Sequence, residues 1–150
     1  MSQILREIGD IARGLDSISN LEFLQLDLTR GQYLYLVRIA VHPGIIQEEL
    51  AEMLLIDRTT TARAVQRLAE RGMIEKRKRA DNQKINCLYL TQRGKERYQV
   101  VFNEHVYSEQ SSTSGLTATE IRQLERLLKR VTANVQSDWR DVKNGRIRPY

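Results

Sequence analysis

Arg63 and Arg67 stand four residues apart, preceded by Arg58, Thr59, Thr60 and the small Ala62. On a helix that spacing points both guanidinium groups the same way. Their planar forks match phosphate oxygens and the O6/N7 edge of guanine, and hydroxyls at the head of the same helix suit base edges. The chemistry implied is recognition of a polyanion, with no bond made or broken.

Charge supports this. Arg58 to Lys84 holds nine Lys/Arg against three Asp/Glu, a net +6, whereas the whole chain carries +5, so the rest sums to −1. The excess is confined to one stretch, as phosphate binding by counterion release requires. A solvated helix face is the ordinary meaning of a basic stripe, but this density beside a capped helix favours nucleic acid.

Bond-making chemistry finds no support. The motifs contain no metal-ligand cluster, glycine-rich phosphate loop or nucleophile–base arrangement, so no enzyme, metal or cofactor is expected. His42 and His105 are isolated and read as packed or exposed histidines. The single cysteine, Cys87, excludes an intrachain disulfide framework and reads as a small strand residue in a reducing compartment.

These residues need elements to hold them. Asp57 is placed to cap a helix, Thr61, Ala64, Val65 and Leu68 recur on one face of it, and Gly72 supplies the stop. Ile45 to Leu54 predicts a short amphipathic helix before it, joined across Leu55-Ile56 as a helix-turn-helix. Beyond Gly72, Met73–Arg79 and Ile85–Leu90 predict two strands around a polar tip, Ala80–Lys84. A helix followed by a basic hairpin outlines a winged helix.

The flanks predict helices. Ile4, Ile8, Ile11, Leu15 and Ile18 form a seam at threes and fours, weakened by Gly9 and Gly14, and Leu21 to Leu28 continues inwards. Thr29-Arg30-Gly31-Gln32 has capping-box spacing before a core helix bearing Tyr33, Leu36, Val37 and Ala40, which stops at His42-Pro43-Gly44. Thr91 caps a helix through Tyr98, Val101, Phe102, His105 and Val106, and Ser111–Gly115 reads as a loop. Thr117–Glu120 is a second capping box, opening a helix with Ile121, Leu124, Leu128, Val131 and Val135 that ends near Trp139. Two seamed helices at the two chain ends suggest a shared interface. At 150 residues one domain is expected. No apolar run approaches the roughly 20 residues that span a bilayer and no signal sequence is evident, so a cytoplasmic location without membrane partners is expected.

Thr29 to Gly94 resembles the MarR family of winged-helix transcription regulators. The matching pieces are Gln32-Tyr33 with Leu36, Gln47–Ala51, Asp57–Arg63, Leu68–Ile74 and Leu90–Gly94, in order and spacing. The resemblance implies a mainly α fold with a small β-hairpin wing: a winged helix-turn-helix over 29–91, helical dimerisation parts over 1–28 and 92–140, and a flexible tail over 141–150. It implies a homodimer on a pseudo-palindromic double-stranded DNA operator, usually repressing, and released by a small phenolic or lipophilic effector. A protein-interaction winged helix and a non-specific DNA-binding protein are the alternatives.

On this reading Arg63 reads a base, guanine being favoured, and Arg67 holds phosphate. Arg58, Thr59, Thr60 and Ala62 share the face, and Gln47, at a helix start, contacts phosphate. The wing lies along the minor groove. Where the family has Asp-x-Arg, this chain has Asn82 and Lys84, with Asp81 one residue early. Weaker shape reading is therefore expected, compensated by Arg77 and Arg79. Leu55 stands where many members have glycine, which implies strain or a different turn. Tyr33, Arg38 and Tyr98 are the expected lining of an effector cavity between the DNA-binding and dimerisation parts.

Overall fold

The computed structural model describes residues 2–29 and 31–150. It separates into two compact units, one up to Ser108 and one from Glu109 to Tyr150. The elements in order are α1 (Ile4–Glu22), a 3-10 turn (Phe23–Leu26), α2 (Gln32–Val41), α3 (Gln47–Leu54), α4 (Arg58–Glu70), β1 (Ile74–Arg79), β2 (Asn82–Leu90), α5 (Gln92–Ser112) and α6 (Ala118–Lys143). The fold is mainly helical with one antiparallel hairpin, a winged helix-turn-helix. None of the described helices is long and apolar enough to cross a membrane.

The core of the first unit gathers Leu36 and Ile39 of α2, Leu50 of α3, Val65 and Leu68 of α4, Met73, Ile74 and Leu88, with Phe23 and Leu28 from the N-terminal side. The predicted inner face of α4 is the buried one: Thr61, Val65 and Leu68 are sealed. Asp27 ties three elements to this core. Its carbonyl accepts from the Arg71 guanidinium and its carboxylate from Arg93 Nη2 at 3.1 Å. Arg71 also donates to Gln32 Oε1 at 2.8 Å, so this arginine of the basic stretch is structural.

The turn between α3 and α4 keeps its left-handed residue although glycine is absent. Leu55 has φ +56°, and the Leu55 and Ile56 N–H groups close on Glu52 O and Ala51 O at 3.2 and 3.0 Å. These bonds satisfy the last carbonyls of α3, so the turn is unchanged and the cost appears as backbone strain. Leu55→Gly and Leu55→Ala remove the same side-chain packing, but only glycine relieves the strain. The glycine variant is expected to be about 1 kcal/mol more stable than the alanine variant in urea unfolding; equal stabilities would contradict this.

At the start of α2 the predicted capping box forms by half. The Thr29 N–H reaches Gln32 Oε1 at 3.3 Å, but the cap is Gly31, at φ +74°, whose N–H donates to Asn20 Oδ1 at 2.9 Å. Arg30, inside that motif, lies outside the described residues. The box at Thr117 is complete: Glu120 N–H reaches Thr117 Oγ1 at 3.3 Å and Thr117 N–H reaches Glu120 Oε2 at 2.7 Å. This bonding holds the Glu120 carboxyl below its ordinary pKa.

Both terminal seams lie open in the chain. Ile4, Ile11 and Ile18 of α1 are exposed, and α6 buries no residue fully, leaving Leu124, Leu128 and Val135 more than 40% exposed. Gly9 and Gly14 do not interrupt α1. α6 runs past Trp139 to Lys143, so the expected flexible tail begins as helix. Beyond it the chain folds back, with Arg146 paired to Asp141 and Arg148 Nη2 3.6 Å from Asp138. These ion pairs reach back from the residues after Gly145 onto the last turns of α6, and a search for apolar pattern does not see them.

Candidate nucleic-acid interface

α4 is fixed at both ends. Asp57 accepts from the Thr60 N–H at 2.8 Å and the Thr60 hydroxyl at 2.6 Å, and these bonds hold its carboxyl below the usual carboxylate range. At the other end Gly72, at φ +69°, lets its own N–H reach Ala69 O at 3.0 Å and the Met73 N–H reach Leu68 O at 2.9 Å. A side chain at Gly72 would meet open space, so conformation alone selects glycine.

The outward face carries Thr59, Arg63 and Arg67, all exposed, with Ala62 half-buried. Neither arginine has an ion pair or side-chain hydrogen bond among the described residues. The Thr60 hydroxyl donates to the cap, so it has only its oxygen lone pairs and methyl to offer. Arg58 pairs with Glu48 of α3, and both side chains are more than half exposed. Such a pair is worth at most about 1 kcal/mol and is readily exchanged for phosphate.

Gln47 opens α3 and lines two shallow clefts, one of about 220 Å³ with Lys76, Ile85 and Asn86, the other of about 90 Å³ with Glu48 and Arg58. It therefore bridges the heads of α3 and α4 to the hairpin. Lys76 and Lys78 are exposed and unpaired among the described residues, as is the Lys84 ammonium. Strand alternation puts Lys76 and Lys78 on the face that Ile74 buries, and beyond the core that face opens, with Lys76 beside Gln47.

The hairpin is anchored on the core and free at its tip. Ile74 pairs with Leu90, and the ladder stays regular to Lys78 and Asn86. β2 also exchanges bonds with the α2–α3 loop, Leu88 N–H to Ile45 O at 2.9 Å and Gly44 N–H to Leu88 O at 2.8 Å. The expected five-residue tip is instead a two-residue turn, Ala80-Asp81, and Arg79 pairs with Asn82. Gln83, Lys84 and Ile85 form an irregularity in β2. Arg77 lies over the Tyr89 ring at 4.5 Å and pairs with Glu75, whereas Arg79 Nε donates to Asp81 Oδ1 at 2.6 Å.

The relatives now identify the frame. The MarR family model matches residues 28–85. The uncharacterized HTH-type transcriptional regulator YybA of Bacillus subtilis is 53% identical over all 150 residues, covering the whole of both chains. The chain belongs to the MarR family. It is thus a transcriptional regulator and not an enzyme. Among solved structures, the transcriptional regulator SlyA matches at 52% identity and TM-score 0.89, covering 94% of this chain and 99% of that one. A MarR family regulator from Listeria monocytogenes, solved in complex with 26mer DNA, matches at 46% identity and TM-score 0.96 over all of both chains.

Within this MarR chain the expected effector lining does not converge. Tyr33 is buried at the N-terminal side, donating to Asp16 Oδ1 at 2.6 Å among the rings of Phe23 and His105. Burial, then the Asp16 carboxylate, push its phenol well above the ordinary value. Arg38 is exposed on α2. Five residues along a helix rotate a side chain by about 140° from its start, which separates the two. Tyr98 alone lines a cavity, of about 420 Å³, with Ile39, Pro43, Arg77, Tyr89 and Lys95.

Proposed function

We propose that this MarR protein is a homodimer that binds a pseudo-palindromic double-stranded DNA operator, represses transcription there and is released by a small effector. The observation that carries the reading is α4: a helix capped by Asp57, stopped by Gly72 and packed on its inner face, with Arg63 and Arg67 exposed on the other and unpaired among the described residues. Its thirteen residues span about 20 Å, enough to lay the N-terminal half in a major groove. The relative solved with 26mer DNA supports the same use of the fold. The uncovered apolar rows of α1 and of α6, each taken by itself, support a partner chain.

Two copies would place their α4 helices about 34 Å apart to meet successive major grooves. An effector that prefers another spacing weakens binding by its differential affinity for the two arrangements. The cavity at Tyr98 supports a phenolic or lipophilic acid as occupant, since Arg77 and Lys95 supply charge, Tyr89 and Tyr98 supply ring faces and Ile39 and Pro43 an apolar wall.

Selection from a random duplex library at two salt concentrations tests the reading. An enriched inverted repeat, bound with affinity that falls steeply with salt, is expected. Salt-sensitive binding without enrichment would replace it with a non-specific DNA-binding protein. No binding by ligand-free protein would favour a protein-interaction module.

A further inference from the structure

The wing tip departs from the family pattern in a way that suggests its own solution. Asn82 and Lys84 occupy the Asp-x-Arg positions, and neither can do what the family's pair does. The Asn82 amide oxygen accepts from the Lys84 N–H at 3.0 Å, and lysine lacks a planar fork. On the other side of the turn, Arg79 is the last residue of β1 and Asp81 the second of the two turn residues. The irregularity at Gln83–Ile85 lets the hairpin reverse at once, so Arg79, paired with Asn82, closes the ladder at the tip. Gln83 Nε2 donates to Arg79 O at 3.1 Å and steadies the backbone that carries it.

Of the wing's two arginines only Arg79 is placed for this. Arg77 is held back by Glu75 and the Tyr89 ring. Arg79 gives its Nε–H to Asp81, which leaves both terminal amino groups without partners among the described residues and fixes the plane of the fork. The Asp81 carboxyl is held below its ordinary range, chiefly by that hydrogen bond, so it stays ionised. An ionised carboxylate at the tip of a basic hairpin repels phosphate, and orienting an arginine is a role that offsets this cost.

We propose that Arg79 is the residue by which the wing reads the minor groove, and that Asp81 is the positioning residue that aims it, Arg79-Ala80-Asp81 replacing the family's Asp-x-Arg in reverse order. The assignment rests on the DNA-binding reading above. A guanidinium is weakly hydrated and favours the narrow, strongly negative minor groove of A·T-rich DNA. Lys84 adds charge without shape preference.

The test uses the full chain and the selected operator with three versions of the flank under the wing: A·T, G·C and inosine·C. Inosine·C resembles G·C in the major groove but lacks the minor-groove amino group. Wild type is expected to prefer A·T and inosine·C flanks over G·C on the order of tenfold. Arg79→Ala should remove that preference. Asp81→Asn should also remove it while raising affinity for the G·C-flanked duplex, because a negative charge is gone; a merely structural loss would lower affinity on every flank. Lys84→Ala should weaken binding on all three and keep the preference. Retained preference at the central half-sites reports that each variant is folded.

Full flank preference in Asp81→Asn, loss of it in Lys84→Ala alone, or its absence in wild type that still selects the central repeat would each overturn the assignment. Failure of wild type to select any sequence would overturn the DNA-binding reading itself and the assignment with it.

Discussion

Arg63→Ala is expected to abolish preference for the operator over random duplex, whereas Arg67→Ala lowers affinity on all sequences alike. The division follows from position on α4. Arg63 is the sixth residue of the helix, in the half proposed to enter the groove, and Thr61 and Val65, sealed in the core on either side of it, fix the rotation at which it leaves the helix. A bidentate contact to a base edge contributes about 1–3 kcal/mol of discrimination. With one such contact in each half-site of the proposed dimer, its loss should cost roughly thirtyfold to ten-thousandfold on the operator and little on random DNA. Arg67 lies one turn further on, where in the proposed docking the groove wall and its phosphates would come within reach. Removing one phosphate contact from each half-site should reduce the slope of log affinity against log salt by about 2 and leave the sequence ranking intact. A binding-site array read at several salt concentrations separates the two. Equal loss of specificity in both variants would contradict the division.

The legible parts of the site are those whose causes are local. Asp57, the period of Thr61, Ala64, Val65 and Leu68, and Gly72 lie within sixteen residues, and the helix they predict is the helix found. The box at Thr117 is local too. Features set by contacts across the chain were not legible. Arg71 counts as one more positive charge in sequence, yet the fold turns it inward onto Asp27 and Gln32, residues that precede it by 44 and 39 positions. The polar run Ala80–Lys84 reads as one five-residue tip, but the irregularity at Gln83–Ile85 takes its last three residues into β2 and leaves a two-residue turn. The effector triad joined residues by chemical type, and helix geometry then separated Tyr33 from Arg38.

Leu55 shows how far a local rule reaches. The rule that a left-handed turn favours glycine left two outcomes open, a changed turn or a strained residue. Closure of both terminal hydrogen bonds of α3 selected the strained one. The helix-turn-helix geometry is held by packing on both sides of the turn, through Leu50 and Ala51 before it and Thr61 and Val65 after it.

Gly94→Ala should be the most destabilising single-methyl change in the wing's support. Gly94 belongs to the Leu90–Gly94 block, but its physical reason appears only in three dimensions. The first turn of α5 lies against the residue that follows the α4 stop, and a Cβ on Gly94 would sit 2.0 Å from the Met73 carbonyl oxygen and 3.0 Å from its carbon. That carbonyl cannot swing aside cheaply, because it accepts from the Thr91 N–H at 3.1 Å. Thr91 Oγ1 also donates to Gly72 O at 2.6 Å and accepts from the Gly94 N–H at 3.1 Å. One methyl therefore forces apart the end of α4, the end of β2 and the start of α5. Overpacking of this kind costs about 1–3 kcal/mol, and each broken hydrogen bond about 0.5–1.5 more. The expected loss is about 3 kcal/mol or more, or a Tm lower by roughly 6–12 °C for a chain of this size. Protein concentration must be held fixed, since a dimer's Tm depends on it. Gly14→Ala in α1 is the control: nothing lies within 4 Å of its Cβ, and it should be neutral or stabilising by about 0.5–1 kcal/mol. A Gly94→Ala protein within 1 kcal/mol of wild type would show that α5 yields where the hydrogen bonds say it is held, and the wing would then be a looser element than its anchors imply.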